Sequence, residues 1–341
     1  MSETEKRKDQ HIEINLKEDV QSDLNNGFDL YSFQHQALPE LNLAEISTET
    51  VFLGKQIALP LMISSMTGGT ETGDRINHVL AEAAQITNIA LGIGSQRAQL
   101  EKGGITYTHS LRKVAGQAPL YANIGAVQLN YGFTVSDCQR AVDMLEADAL
   151  ILHLNPLQEA LQAEGQTNFS GLAKKIGNVC HALQIPVIVK EVGWGISLHS
   201  AKILVDQGVA VIDVAGAGGT SWSEVEKYRS KNEIYYRVAS KFRDWGNTTA
   251  EAVREIHAEL PETPLIASGG LRNGVEIAKA MAMGANIAGF AGPFLKAANV
   301  STDAVTALIE EIQLELRVTM FAAGAANIME LSQTPLKKTN R

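Results

Sequence analysis

Residues able to do chemistry gather where apolar runs end. The stretch HLNPLQE (153–159) packs His153, Asn155, Gln158 and Glu159 directly after the run Ala149-Leu150-Ile151-Leu152. Glu159 offers a carboxylate suited to Mg2+, which keeps several waters and takes one or two carboxylates beside substrate phosphates. The same residue would serve in the first turn of a helix, where an acid complements the macrodipole. His153 can be a general base or a structural hydrogen-bonder. Lys190 ends the run VIVK. A lysine at the end of a buried strand is costly unless it meets an anion, either an electron-rich cofactor or a neighbouring acid such as Glu191. SGGLRNG (268–274) and AGPF (291–294) set glycine amides beside helix starts. Unpaired N–H groups and the helix dipole attract phosphate at such places. EKRKDQHIE (5–13) is either a solvated tail or a basic arm that closes over an anionic ligand.

The elements that must position these residues alternate regularly. Apolar runs over 59–69, 89–97, 119–126, 148–155, 186–193, 209–219, 264–270 and 286–292 read as strands. Helical patterns lie between most of them. DRINHVLAEAAQITN carries Ile76, Val79, Leu80, Ala83 and Ala84 on one face. VSDCQRAVDMLEA begins near Ser136 or Asp137. Strands apolar along their whole length are covered on both faces, as parallel strands are. Eight such units in 341 residues predict an α/β fold, a closed (β/α)8 TIM barrel over 59–341 behind an N-terminal extension over 1–58. The long loop at 219–247, after strand six, is a lid or binding loop, or else a helical surface excursion or an oligomer contact.

Barrel sites lie at the carboxyl ends of the strands. The expected ring therefore holds Ser65, Met66 and Thr67, then Ser95, Gln96 and Arg97, then Asn123. It continues through the HLNPLQE residues and Lys190 to Thr220, Gly269 and Gly270, and closes at Ala291 and Gly292.

Composition narrows the partners. A formal net charge of -9 disfavours non-specific binding to nucleic acid or anionic lipid. Hydrophobic residues make up 45% and charged residues 20%, which places the chain among ordinary globular proteins. Cys138 and Cys180 have no CxxC or metal-ligand spacing. They read as reduced thiols of a cytoplasmic protein. The N-terminal stretch lacks an apolar signal core, and no run reaches the ~18 apolar residues of a membrane helix.

The pattern VIVKEV…DVAGAGGT…IASGGLRNGVEIAKAMAMGA…AGPFL resembles the FMN-binding half of flavin-dependent barrels, which include the 2-hydroxy-acid oxidases. More narrowly, RKDQH (7–11), SMTGG (65–69), GSQR (94–97), HLNPLQE, KEVG (190–193) and GAGGTS (216–221) are together similar to the type 2 isopentenyl-diphosphate isomerase family. The oxidases carry a catalytic His at the end of strand six. Here AGAGGT (215–220) has none, which separates the chain from that branch.

The resemblance implies FMN, NADPH as its reductant, and Mg2+. The reaction implied is the interconversion of isopentenyl and dimethylallyl diphosphate. Ser65, Met66, Thr67, Ser95, Asn123 and Lys190 would surround the flavin ring and ribityl chain. Thr220, Gly269, Gly270, Leu271, Ala291 and Gly292 would hold its tail and phosphate. Arg7, Lys8, Ser95, Gln96 and Arg97 would bind the substrate diphosphate. Gln158 would face the isoprenoid end and Glu159 would ligate Mg2+. Catalysis is expected from Gln158, His153, Asn155 and Lys190, and assembly as a homotetramer or homo-octamer. Two other readings stay open on the residues alone: a hydroxy-acid oxidoreductase, and a non-catalytic sensor of a phosphorylated ligand.

Overall fold

The computed structural model describes residues 3–102 and 108–339. Eight parallel strands close into a barrel: β1 (Leu61–Ile63), β2 (Ala90–Gly92), β3 (Leu120–Gly125), β4 (Ala149–His153), β5 (Val187–Lys190), β6 (Val211–Asp213), β7 (Leu265–Ser268) and β8 (Ile287–Phe290). β8 pairs with β1, Ala288 opposite Leu61, which completes the ring. The register sets Gly125, His153, Lys190 and Asp213 side by side across β3 to β6. The mouth chemistry is thus fixed by backbone pairing.

The apolar runs are buried on both faces, as their composition requires. Outward side chains pack against the surrounding helices in one large core. Inward ones, including Met62, Tyr121, Ile151, Ile188 and Ile266, fill the barrel together with Phe52 and Ile57. Those last two come from an antiparallel hairpin, Thr50–Phe52 with Lys55–Ile57, that plugs the barrel floor. Nothing in the polar N-terminal segment pointed to this plug.

The helices start where local chemistry satisfies their first amides. Thr70 caps Glu71–Thr87 by accepting from Gly73 N at 3.1 Å. The helix expected near Ser136 or Asp137 is Val135–Leu145, with Thr134 before it and the Asp137 carboxylate taking the Thr134 amide at 2.8 Å. The long loop after β6 folds into two short helices, Trp222–Arg229 and Glu233–Ala239. The helix of the sixth unit follows as Thr249–Glu259, burying Ala250, Ala252, Val253 and Ile256.

The N-terminal arm is itself a helix, Glu3–Lys17. Further along, Tyr31–Phe33 pairs antiparallel with Leu336–Lys338. A 22-residue helix, Thr302–Ala323, ends at Gly324 with φ 79°. Among the described residues, no helix is long and apolar enough to cross a membrane.

Candidate active site

A cavity of about 810 Å3 fills the barrel mouth, and the Glu3–Lys17 helix lies across it. Its volume falls in the range of small-molecule and cofactor sites. Every residue expected to bind substrate, cofactor or metal, or to act in catalysis, lines it except Gln96.

On the β1–β3 side stand Ser65, Met66, Thr67, Ser95 and Asn123. The hydroxyls of Ser65 and Thr67 are buried without a hydrogen-bond partner among the described residues. Buried polar atoms are normally satisfied, so these two mark where a ligand with polar edges would sit.

At the next strand ends, His153 Nδ1 lies 2.7 Å from Asn123 Oδ1. A carbonyl oxygen accepts, so Nδ1 carries the proton and Nε2 keeps its lone pair. Burial, then the charges of Lys190 and Lys8, push the imidazole down to about 3. His153 is therefore a neutral hydrogen-bonding group and a weak base. Lys190 Nζ donates to the Glu191 carbonyl at 2.6 Å. The Glu191 carboxylate instead accepts from the amides of Val192, Gly193 and Trp194 at 2.7, 2.7 and 2.6 Å. The alternative of a Lys190–Glu191 ion pair is thus not realised. Burial raises the Glu191 carboxyl to about 7 against the pull of those amides and of Lys190. Beside Lys190, Asp213 accepts from Ser268 Oγ at 2.5 Å through Oδ1, while its buried Oδ2 has no partner. Burial also raises this carboxyl.

The end formed by β6, β7 and β8 is built by close backbone approach. Gly269 (φ +105°) passes Gly216 so tightly that a Cβ would lie 2.0 Å from its carbonyl oxygen. Gly270 (φ +80°) meets Gly218 in the same way, at 2.4 Å. A Cβ on Gly292 would meet nothing within 4 Å, so the backbone there opens to the cavity. Thr220, Leu271 and Ala291 complete this end.

The opposite side is basic. Arg7 Nη1 donates to Gln162 Oε1 at 3.1 Å. Lys8 Nζ donates to the carbonyls of Gly68 at 2.5 Å and Ser95 at 2.8 Å. Burial, followed by the Arg7 charge, lowers Lys8 to about 8. Arg97 Nε donates to Glu101 Oε1 at 2.7 Å. His11 meets Trp222 edge-on at 5.1 Å and lies 3.1 Å from Glu226 Oε1. The arm is thereby docked onto loops from both halves of the barrel.

Between these walls lies the HLNPLQE cluster. Asn155 Nδ2 donates to Gln158 Oε1 at 3.1 Å and Glu159 Oε1 at 3.0 Å. Gln158 Nε2 donates in turn to Glu226 Oε1 at 3.0 Å.

The profile of the FMN-dependent dehydrogenase family matches residues 134–338. An isopentenyl-diphosphate delta-isomerase of Rickettsia rickettsii (strain Sheila Smith) is 49% identical over 334 residues, covering 97% of each chain. One from Nostoc sp. (strain PCC 7120 / SAG 25.82 / UTEX 2576) is 49% identical over 334 residues, covering 98% of this chain and 95% of its own. The chain belongs to the isopentenyl-diphosphate delta-isomerase family. Solved structures of mandelate oxidase share this isomerase family's barrel. One bearing a C4a-OH-FMN adduct gives a TM-score of 0.68 at 17% identity, covering 99% of each chain. Another, with (S)-2-phenylpropionate, gives 0.67 at 18%, covering 98% of this chain and 97% of its own.

Within this isomerase scaffold one expected substrate contact needs correcting. Gln96 is fully buried, donates to the Ala141 carbonyl at 3.0 Å, and accepts from Asn123 N at 3.1 Å. Its side chain ties the ends of β2 and β3 together and does not reach the cavity.

Several residues at the site were not singled out from the sequence, among them Arg272, Lys296 and, behind Gln158, Glu226. Arg272 and Lys296 line the glycine end, and their signal was position: each follows a glycine turn by a few residues. Glu226 is buried, and only the phase of the Trp222–Arg229 helix decides that it, and not its neighbours, meets Gln158 and His11. Burial opposes its ionisation, but the adjacent His11 and Arg229 bring its carboxyl down to about 2.

The donor set fits the groups that the isomerase resemblance implies. Orphaned Ser65 and Thr67 hydroxyls, the Lys190 cation and a glycine-lined basic end suit a flavin mononucleotide. Among the described residues, no three His, Cys, Asp or Glu side chains gather to hold a metal. Glu159 and the orphaned Asn155 Oδ1 offer oxygens only, which suits Mg2+ arriving with phosphate oxygens.

Proposed function

We propose that the protein interconverts isopentenyl and dimethylallyl diphosphate, with FMN in the barrel mouth and the substrate between the flavin and the Glu3–Lys17 helix. The observation that carries this reading is the joining of two walls in one cavity. One wall carries Ser65, Thr67, Lys190 and the glycine turns, which suit a flavin, the other carries Arg7, Lys8 and Arg97, which suit a diphosphate, and Asn155, Gln158 and Glu159 lie between. At the end of β6, Ala215 and Gly216 line the cavity, and neither can take a proton from a hydroxy acid.

Bound there in reduced form, FMN supplies acid–base chemistry without net redox change, with NADPH as the reductant that primes it. Lys190 holds negative charge at the flavin side. Thr220, Gly269, Gly270, Leu271, Ala291 and Gly292 hold the cofactor's tail. Moving the double bond requires a proton added at one carbon and another removed from a neighbouring one. The tertiary cation between is short-lived in water, so the site must be dry and preorganised. The arm helix serves this by covering the mouth, and Arg7, Lys8, Ser95 and Arg97 hold the diphosphate through charge-assisted contacts. Glu159 ligates Mg2+ on that diphosphate. Gln158, fixed by Asn155 on one side and Glu226 on the other, faces the isoprenoid end, and neutral His153 offers Nε2 as an acceptor.

The protein acts as a cytoplasmic homotetramer or homo-octamer in this reading. Exposed Ile234, Tyr236 and Trp245 of the 219–247 segment and Leu314 and Val318 of the Thr302–Ala323 helix support an assembly, and free Cys138 and Cys180 support the compartment.

Proton NMR of the purified protein with FMN, Mg2+, NADPH and isopentenyl diphosphate tests the function. Dimethylallyl diphosphate should accumulate with only catalytic consumption of NADPH. Bound, reduced flavin without isomerisation would refute it.

A further inference from the structure

Behind the cavity wall, Gln166 touches both halves of the anion site. Its backbone amide donates to Glu159 Oε2 at 2.6 Å. Its side-chain Oε1 accepts from Arg97 Nη1 at 3.1 Å and from Gln128 Nε2 at 2.7 Å. Arg97 and Glu159 come from short helices after different strands, Arg97–Lys102 and Pro156–Leu161, and the Gln166 loop joins them directly. Glu101 on Nε and Gln166 on Nη1 together fix the plane of the Arg97 guanidinium. On the Glu159 side, the Gln166 amide takes Oε2 and Asn155 takes Oε1, which fixes the plane of the carboxylate.

The contact depends on the residue before it. A Cβ on Gly165 would lie 1.8 Å from the Glu159 carbonyl oxygen. Any side chain would push the loop off the Pro156–Leu161 helix and take the Gln166 amide away from the carboxylate. The turn is closed by Gly165 N donating to the Gln162 carbonyl at 3.1 Å, and Gln162 also holds Arg7.

We propose that Gln166 is a positioning residue that couples the metal-binding carboxylate to the diphosphate-binding guanidinium, so that Mg2+ and diphosphate are taken up as one unit. The proposal rests on the isomerase reading for the roles of Glu159 and Arg97. Groups that orient metal ligands typically contribute about 10–100-fold to metal affinity or activity, and this one orients an anion ligand as well.

Calorimetric titration of the FMN-loaded protein with inorganic pyrophosphate, with and without Mg2+, reads the site without turnover. Gln166→Leu keeps the amide and the bulk but removes the acceptor. It should weaken Mg2+-dependent pyrophosphate binding by about tenfold or more, with the flavin absorbance and content of the parent. Gln166→Glu restores an acceptor for Arg97 and Gln128 and should bind close to the parent. Parent-like binding by Gln166→Leu, an equal loss in Gln166→Glu, or loss of flavin together with pyrophosphate would overturn the proposal. A parent that fails to bind pyrophosphate would overturn it too, while the isomerase reading stands or falls separately on the NMR assay.

Discussion

Gln158 has its carboxamide held at both ends, by Asn155 at 3.1 Å and Glu226 at 3.0 Å, so its orientation toward the cavity is fixed before substrate arrives. Gln158→Ala should lower turnover by about 100-fold or more, the scale of removing one preorganised polar group from the reacting centre, with FMN retained. Isomerisation rate and flavin absorbance measured on one sample check this, and near-normal turnover would remove the residue from the chemistry. Lys8 supplies a pH dependence. Its amine is lowered from 10.5 to about 8 by burial and by Arg7, so above that pH the free enzyme loses a positive charge from the wall proposed to hold the diphosphate. kcat/KM, which reports the free enzyme, should fall above about pH 8. Lys8→Arg, whose guanidinium stays charged throughout, should shift that limb upward. An unchanged limb would assign it to another group. The ring of strand-end residues was legible because a buried parallel strand leaves polar side chains only where it runs out. Gln96 and Glu226 were not, because the direction of a side chain after the last strand residue depends on turn geometry that spacing does not carry.

The glycine loops show how elements, more than single side chains, shape the cofactor end. The Gly216–Gly219 and Gly269–Gly270 backbones touch, and this contact sets the floor of the glycine-lined end of the cavity. Gly269→Ala must place a methyl 2.0 Å from the Gly216 carbonyl oxygen at φ +105°. The backbone conformation alone should cost about 1–3 kcal/mol. The expected outcome is a lower melting temperature and weaker FMN retention on gel filtration, and wild-type values for both would show that the loops can part without harm. The eight strands were readable as elements because each is bounded by turn residues and apolar along its length. The Thr249–Glu259 helix was not read, since it follows the inserted helices without a break in composition. The arm's helix had no clear pattern of its own. It is held by Lys8, His11 and Arg7 reaching loops far away in sequence.

At the scale of the molecule, the barrel is closed at one end by the Thr50–Ile57 hairpin and covered at the other by the Glu3–Lys17 helix. Phe52, buried in the barrel floor, gives a test that separates stability from function. Phe52→Ala should destabilise the protein by about 3–5 kcal/mol in urea titration while flavin content stays at the parent level. A matching loss of flavin would mean that floor and mouth are mechanically linked. Barrel closure followed from counting units, and a covering arm was one of two readings of the basic N-terminal stretch, but the plug was not legible, because it is a long-range contact of a polar segment. The pairing of Tyr31–Phe33 with Leu336–Lys338 is the most distant of these, joining residues about 300 positions apart. Closing so long a loop is slow compared with forming neighbouring βα units. During refolding, far-ultraviolet ellipticity and flavin quenching should therefore recover before catalytic competence does, with a lag set by the rejoining of these two remote segments.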